Sequence, residues 1–538
     1  MFLSECNKKE YCAYCILFLL LAFPFFYALF ANRYVPNTDE TWLLQSAYRF
    51  SHGEGLHCNW IPPQDLASNS SNYLVIWPQG YSILIGLLNF TVSYDLAPKL
   101  MRVVVIIAGF YFWLLLSQYL LKSIYHRILV FVFVGQLFVF MDNPTDQIFF
   151  IVFPIISLLV LKAASPTRLK VSLISSSLSY LYIGFLVSLL ISIRYQALEL
   201  VLFINLWILL NYFREKKKLF LYCLSFTAIP IIVYSIIAYI NVHSSGIVSE
   251  HTNAHFLFWW DWNWIPNVLD NLFMKGLLNN LFIHKFFKMF SYNTAVLIQS
   301  SASIVFAFLF ILLIVNRDNV KQSKVFSQFL ITAVLTNILF LLVLTFYFIP
   351  SERSNWTPIA EGRYYKYLVP LLLIFLFTKT ENNLFYRTRL FKIMVVIYII
   401  IGIFSNSYIG KNRYDYWSSC EKIYAGISKH IEKASEQVGN MPRLAIAQNP
   451  YINMFLPNDY MQTYRDIEAV FTDSAYVSKP TLVVIIKNDL FRGDIRNVKS
   501  QTYERLKKNY DFQSVNIDTV KMEFALIKEN KWTTTKNK

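Results

Sequence analysis

Apolar residues in this chain come in blocks of roughly 17 to 23, and block length decides most of what it can fold into. A helix rises about 1.5 Å per residue, so about 20 residues cross a hydrocarbon core of about 30 Å. Such blocks lie near 13–31, 101–121, 127–141, 148–162, 172–193, 197–213, 219–241, 294–315, 325–349, 364–378 and 393–409. Charged residues are only 15% of the 538, against about 25% in a soluble domain. The chain therefore reads as an α-helical polytopic membrane protein. The first block is longer than a signal-peptide core, and no small-x-small pattern follows it, so it is expected to stay as a helix.

Sidedness follows from the basic clusters. One further apolar run, 73–92, is interrupted by Pro78, Gln79 and Gly80 and by polar Ser82 and Asn89. If it does not cross, Lys8 and Lys9 share one side with the clusters at Lys122–Arg127, Lys162–Lys170, Arg214–Lys218, Arg317–Lys324 and Lys379–Lys392. Those loops are short, and the positive-inside rule makes that side cytoplasmic. If 73–92 did cross, Lys8 and Lys9 would face away from every later cluster. The expectation is about eleven spans, an inside N-terminus, and helices lying on the outer surface within 32–98.

The net charge of +16 does not point to nucleic acid, because it is spent in these loop clusters. The six cysteines form no framework; Cys12 and Cys15 make one CxxC pair with no second pair to complete a zinc site. Composition divides the chain into a membrane domain, 1–410, and a region from 411 to 538. The last 128 residues carry 15 of the 33 acidic residues and no spanning block. Within them Arg443–Ala447 and Thr481–Ile486 read as buried strands, and 416–437 and 500–508 as helices. This is a small extracytoplasmic α/β domain without a Gly-rich phosphate loop, and no cofactor is assigned to it.

Ionisable residues are nearly absent from the middles of the spans, which argues against an ion-coupled pathway across the bilayer. Polar chemistry gathers instead at the outer helix ends. The first outer loop begins Val35-Pro-Asn-Thr-Asp39-Glu40-Thr-Trp42. Two readings are open for its acids. Asn37 or Thr38 can cap a helix whose first turn favours Asp and Glu, or Asp39 is a general base tuned by partial burial at the membrane edge.

The order of features resembles the GT-C superfamily of membrane glycosyltransferases. An N-terminal span is followed by the Asp39-Glu40 pair, then a surface helix with Trp77-Pro-Gln-Gly-Tyr81, then Lys99-Leu-Met-Arg102 at the opening of the next span. Asn143-Pro-Thr-Asp146, Arg194-Tyr195, Glu361-Gly-Arg363-Tyr364 and Pro370 continue the likeness over about 1–380. The arrangement is most similar to protein O-mannosyltransferases and lipid A aminoarabinose transferases. It departs from their usual pattern at Gln79 and in Glu-Gly-Arg.

The resemblance implies a donor sugar on a polyprenyl phosphate, whose phosphate leaves as a stable anion without a general acid. Asp39 would then be the base for the acceptor hydroxyl, giving inversion by direct displacement. Arg363 would grip the phosphate, helped by Arg102 or Arg194. Glu40 and Asp146 would orient acceptor or sugar, with Tyr81 and Tyr364 beside them, or hold a divalent cation. The superfamily's branches differ in using a metal, so the cation is left open. The acceptor would be a glycolipid, a glycan or a protein.

Each residue has a plainer reading. Arg363, Tyr364 and Tyr365 fit an interfacial anchor, Asp146 a helix-start acid, and Arg102 and Arg194 snorkelling side chains. Phe256–Trp264 fits a headgroup belt or a wall for sugar or lipid, and His251 with His255 has helical spacing for a metal. Competing functions are a lipid or polysaccharide transporter or flippase, a polymerase or ligase of lipid-linked glycans, and a scaffold that would not need Asp39.

Overall fold

The computed structural model describes residues 8–58, 65–67, 72–74, 78–139, 141, 143–164, 173–245, 321–347, 362–381, 383–438, 443–447, 461–464, 476–487, 510–517, 520–527 and 530–531, with a few short pieces between. Its helices are α1 (Lys8–Ala31), α2 (Thr38–Ser51), α3 (Gly80–Asn89), α4 (Leu96–Leu120), α5 (Ile124–Phe138), α6 (Pro144–Ala163), α7 (Leu173–Ile193), α8 (Leu198–Tyr212), α9 (Lys216–Ser245), α10 (Lys321–Tyr347), α11 (Leu368–Thr380) and α12 (Arg389–Val438). Ten of the eleven expected spans are therefore helices; the block at 294–315 lies largely outside the described residues. Among the described residues, seven helices are long and apolar enough to cross a membrane, and α5, α11 and the described part of α7 are shorter apolar ones. This is a multi-pass membrane protein. The run at 73–92 yields only the ten-residue α3, too short to span.

Two compact units divide the chain. One comprises Met1–Phe26 with Arg102–Lys411, the other Tyr27–Met101 with Asn412–Lys538. In the first, the helices are apolar on all sides, with Ile231, Ile232, Leu335 and Val343 turned outward and Trp113, Phe153 and Trp207 fully buried. Such all-round apolarity suits a helix facing protein on one side and lipid on the other. Close packing uses small residues: a Cβ on Gly184 of α7 would come within 2.4 Å of the Phe226 carbonyl on α9. Backbones approaching this closely lock membrane helices where hydrophobic burial cannot.

The second unit joins the loop after α1 to the C-terminal region. Asn37 caps α2, its Oδ1 accepting the Glu40 N–H at 2.7 Å. Helix α3 lies against α2 where Gly86 meets Phe50 and the Ala47 carbonyl. The strands are β1 (His57–Cys58), β2 (Asn72–Tyr73), β3 (Arg443–Ala447), β4 (Met461–Tyr464), β5 (Tyr476–Val477), β6 (Thr481–Lys487), β7 (Gln513–Ile517), β8 (Val520–Ile527) and β9 (Asn530–Lys531), and the C-terminal sheet has the order β4-β3-β6-β8-β7. Strand β3 is parallel to β4 and β6, while β8 runs antiparallel to β6 and β7. Central β6 is the continuous run Leu-Val-Val-Ile-Ile, all buried, as expected of a strand covered on both faces. Both strands read from the sequence are present and adjacent.

Helix α12 differs from expectation. The sequence suggests a span ending at 409 and a separate helix from 416, but one helix of 50 residues runs through. Lys-Asn-Arg-Tyr-Asp at 411–415 changes polarity without breaking the backbone, because no proline interrupts it. Past residue 412 its buried Trp417, Cys420, Tyr424, Ile427, Ile431 and Ala434 recur every three or four residues, and Gly426 meets Ile517 of β7. The same unit fastens the outer loop at three places. The Arg33 N–H donates to Glu421 at 3.0 Å, Tyr34 packs edge-on against Trp417, and Asp65 bridges to Tyr476. Of the helix expected at 500–508, only Lys507 and Lys508 are among the described residues.

Candidate functional site

In the second unit, the cap on α2 places Asp39 and Glu40 in the first turn. Asp39 is half-buried. Glu40 is completely buried. Its two oxygens accept from Tyr34 Oη at 2.7 Å and Tyr81 Oη at 2.8 Å. Tyr81, at the start of α3, is also buried, so Glu40 joins α2, the segment before it and α3. Beside them, Lys99 binds the Asn32 carbonyl at 2.8 Å and Asp95 at 2.6 Å, while Asp95 accepts the Tyr34 N–H at 2.8 Å. Burial pushes the neighbouring Tyr94 phenol up, with Tyr48 and Glu40 adding to it.

In the first unit, Asn143 caps α6 and Pro144 opens it, both standard for a helix start. Asp146 is thus set in the first turn, where it pairs with Arg194. Arg194 also donates to Gln196 Oε1 at 2.8 Å and Thr145 Oγ1 at 3.2 Å. Its guanidinium and that of Arg363 lie over the Tyr364 ring, at 5.6 and 5.1 Å from the centroid. A 3-10 turn, Gly362–Tyr364, carries Arg363. Two residues later, before α11 begins, stands Lys366. Arg102 is buried and donates to the Met141 carbonyl at 2.9 Å and Gln147 Oε1 at 2.8 Å, so it braces the turn between α5 and α6.

These residues surround a small cleft lined by Met141, Asp146, Gln196, Arg363, Lys366 and Tyr367 with Phe149 and Phe150 behind. On the cleft itself Arg363 and Lys366 stand with the carboxylate of Asp146, which is paired with Arg194. Burial, with Arg363 and Arg194 close by, pushes the Lys366 ammonium down to about 8. Crowded cations in a partly dry cleft are relieved by an anion, which is the chemistry such an arrangement suits. Among the described residues no group of three or more His, Cys, Asp or Glu side chains is placed to hold a metal ion.

Of the residues expected from the sequence, Arg194, Arg363, Asp146 and Tyr364 come together here, with Arg102 bracing the wall. Asp39, Glu40 and Tyr81 belong to the other unit. Lys366 was missed because the apolar block was drawn from 364, whereas α11 begins at Leu368 and leaves Lys366 just outside the helix. Glu361, Trp77, His251, His255 and the aromatic run 256–264 lie outside the described residues.

Among solved structures, the chain is similar to ArnT from Cupriavidus metallidurans in the apo state, with a TM-score of 0.55 and 10% identity over 96% of this chain and 98% of that one. The same protein bound to undecaprenyl phosphate gives 0.46 and 11%, over 96% and 98%. The Archaeoglobus fulgidus oligosaccharyltransferase, tethered with an acceptor peptide, gives 0.44 and 9%, over 85% and 64%. No family model matches the sequence, and no curated protein does. The chain has the GT-C fold.

Proposed function

We propose that the protein is an integral membrane glycosyltransferase that moves a monosaccharide from a polyprenyl-phosphate donor to an acceptor hydroxyl. The reaction takes place on the outer face of the plasma membrane and inverts the anomeric carbon. The observation that carries this reading is the cleft lined by Arg363 and Lys366, with Arg194 paired to Asp146 on its wall. A departing phosphate gathers negative charge as the sugar bond breaks, and preset cations stabilise that charge more in the transition state than before it. Arg363 grips the phosphate, with Arg194 held ready by Asp146. Asp39 removes the acceptor proton, and Glu40 with Tyr34 and Tyr81 holds the turn that bears it. The sugar is a hexose or pentose, and the acceptor a glycolipid, glycan or protein.

The test pairs a deletion strain with the purified protein. The strain should accumulate a polyprenyl-phosphate sugar, and the protein in proteoliposomes should transfer that sugar, with polyprenyl monophosphate competing. A protein that neither binds polyprenyl monophosphate nor transfers the accumulated sugar does not have this function. Sidedness has its own check. An impermeant thiol reagent should label both W60C and S500C in intact cells; labelling of one alone overturns the eleven-span arrangement.

A further inference from the structure

Beneath the cleft lies a carboxylate that phosphate gripping does not use. Glu199 is the second residue of α8 and is 1% exposed, and Asn337, in the middle of α10, is 0% exposed. Asn337 Nδ2 lies 3.0 and 3.1 Å from the two Glu199 oxygens, 3.2 Å from the Tyr364 carbonyl and 2.9 Å from Tyr367 Oη. An amide nitrogen carries two hydrogens, so these are shared between the carboxylate and the turn that bears Arg363. Gln196 repeats the pattern. It hydrogen-bonds to Glu199, donates to the same Tyr364 carbonyl at 3.3 Å, and accepts from Arg194 at 2.8 Å.

The geometry points to Glu199 and Asn337 as positioning residues of the donor-phosphate site, an inference that rests on the function proposed above. The Tyr364 carbonyl follows Arg363 directly and precedes Lys366 by two residues. Two amides hold it, and both are oriented by one buried carboxylate. Arg194 is close enough for its charge to act on Glu199. A carboxylate at the mouth of a spanning helix is expensive unless it is fully hydrogen-bonded. This network ends on Gln196 and Tyr367, which line the cleft, and so ties the hydrogen bonds of the buried carboxyl to the placing of the cations. Glu199 itself touches no substrate.

A double substitution, Glu199→Leu with Asn337→Leu, separates this role from simple structural support. Replacing both members of a buried polar pair by apolar residues of similar size is often neutral or stabilising, but it removes the tether on Tyr364. Binding of undecaprenyl monophosphate in detergent, detergent melting, and donor and acceptor KM in the transfer assay are compared with wild type. Asn205→Ala is the control. It removes a polar side chain further along α8 that is bonded to Val201 and Thr227.

The expected result is melting like wild type, with lipid-phosphate Kd and donor KM raised about tenfold, a loss of about 1.4 kcal/mol. Acceptor KM should not change, and the control should behave as wild type. Unchanged donor KM and Kd in a folded double variant overturn the inference and leave the transferase reading standing. If the double variant does not fold, Glu199→Gln decides by the same criterion, since it keeps the volume but places an amide donor against Asn337 and Gln196. A wild-type protein that binds the lipid phosphate through these residues but transfers no sugar overturns the transferase reading alone. A wild type that does not bind the lipid phosphate overturns both.

Discussion

Each unit sets a carboxylate in the first turn of a helix, buried Glu40 in one and half-buried Asp146 in the other, and the company each keeps is different. Glu40 is held by neutral phenols, Tyr34 and Tyr81, and by the capped turn of α2. Asp146 sits with Arg194 on a cleft that also gathers Arg363 and Lys366. Neutral donors around a buried carboxylate complete its hydrogen bonds and fasten three segments together, which is scaffolding. The cations at the cleft carry a cost instead: burial first, and the nearby Arg363 and Arg194 second, lower the Lys366 ammonium, and an arriving anion relieves that cost. On the functional reading, the outer-loop unit holds the base and the membrane unit holds the leaving group.

If that division is right, changes in the two units should damage different steps. The largest effect is expected from Asp39→Asn. The amide matches the shape of the acid and is as good in a helix start, but it cannot take a proton. Turnover should fall by the 10²–10⁴ of a lost general base, with melting and lipid-phosphate binding unchanged. Retention of more than about a tenth of turnover removes Asp39 from the mechanism. Next comes Arg363→Lys. A charged hydrogen bond to phosphate is worth about 1.5–3 kcal/mol, and Lys lacks the two-pronged geometry. Donor KM should rise roughly ten- to a hundredfold with acceptor KM unmoved. Wild-type kinetics would mark Arg363 as an interfacial anchor only.

Glu40→Gln should affect folding more than donor handling. One phenol must turn from donor to acceptor, a change that costs about 1–3 kcal/mol in a buried site and is read as lowered melting. Turnover should fall several-fold as the α2 turn loosens, at constant donor KM; a raised donor KM would break the contrast between the units. Lys366 gives a pH signature on the other side. An anion favours the protonated ammonium, so lipid-phosphate affinity should fall as pH rises through about 8. The effect should be a few-fold, and Lys366→Ala should flatten it. A pH-independent Kd from 7 to 9 in the wild type removes Lys366 from the site.

The spanning helices were legible because lipid imposes length and apolarity on each one separately. So were β3 and β6, since a strand buried on both faces needs a continuous apolar run. Less was legible where function depends on packing between distant segments. Arg33 and Glu421 meet across 388 residues, and nothing in either neighbourhood announces it. Lys366 and Glu199 stand at the ends of apolar blocks, where a sequence reader trims the span. Their importance appears only when Asn337 and Gln196 tie Glu199 to the Tyr364 carbonyl and the same turn leads Lys366 onto the cleft. Motif order gave Arg194, Asp146 and Arg363 as candidates, but not that they share a cleft.

The smallest expected effect tests whether the outer-loop unit is indifferent to the donor. Burial works to raise the Asp65 carboxyl, but hydrogen bonds from Ser478 and the Ala67 N–H, with Lys479 nearby, outweigh it and hold the carboxyl below its usual range. Oδ1 accepts both the Ser478 and Ala67 N–H groups at 3.0 Å, while the Leu66 N–H donates to the Tyr476 carbonyl at 2.9 Å. A depressed carboxyl adds stability that is present above its unfolded value of about 3.9 and is lost as pH falls through the lower folded value. Asn at 65 keeps an acceptor for both N–H groups and loses only the charge. Hydrogen exchange at the Ser478 and Ala67 amides should therefore quicken by no more than about threefold in Asp65→Asn, and by about tenfold in Asp65→Ala, where the acceptor is gone. The clasp should loosen in strong acid in the wild type and not further in the Asn variant. Both variants should leave donor KM where it was. If Asp65→Asn raised donor KM as far as Arg363→Lys does, the clasp between the outer loop and the C-terminal sheet would be part of donor handling, and the division of labour between the two units would fail.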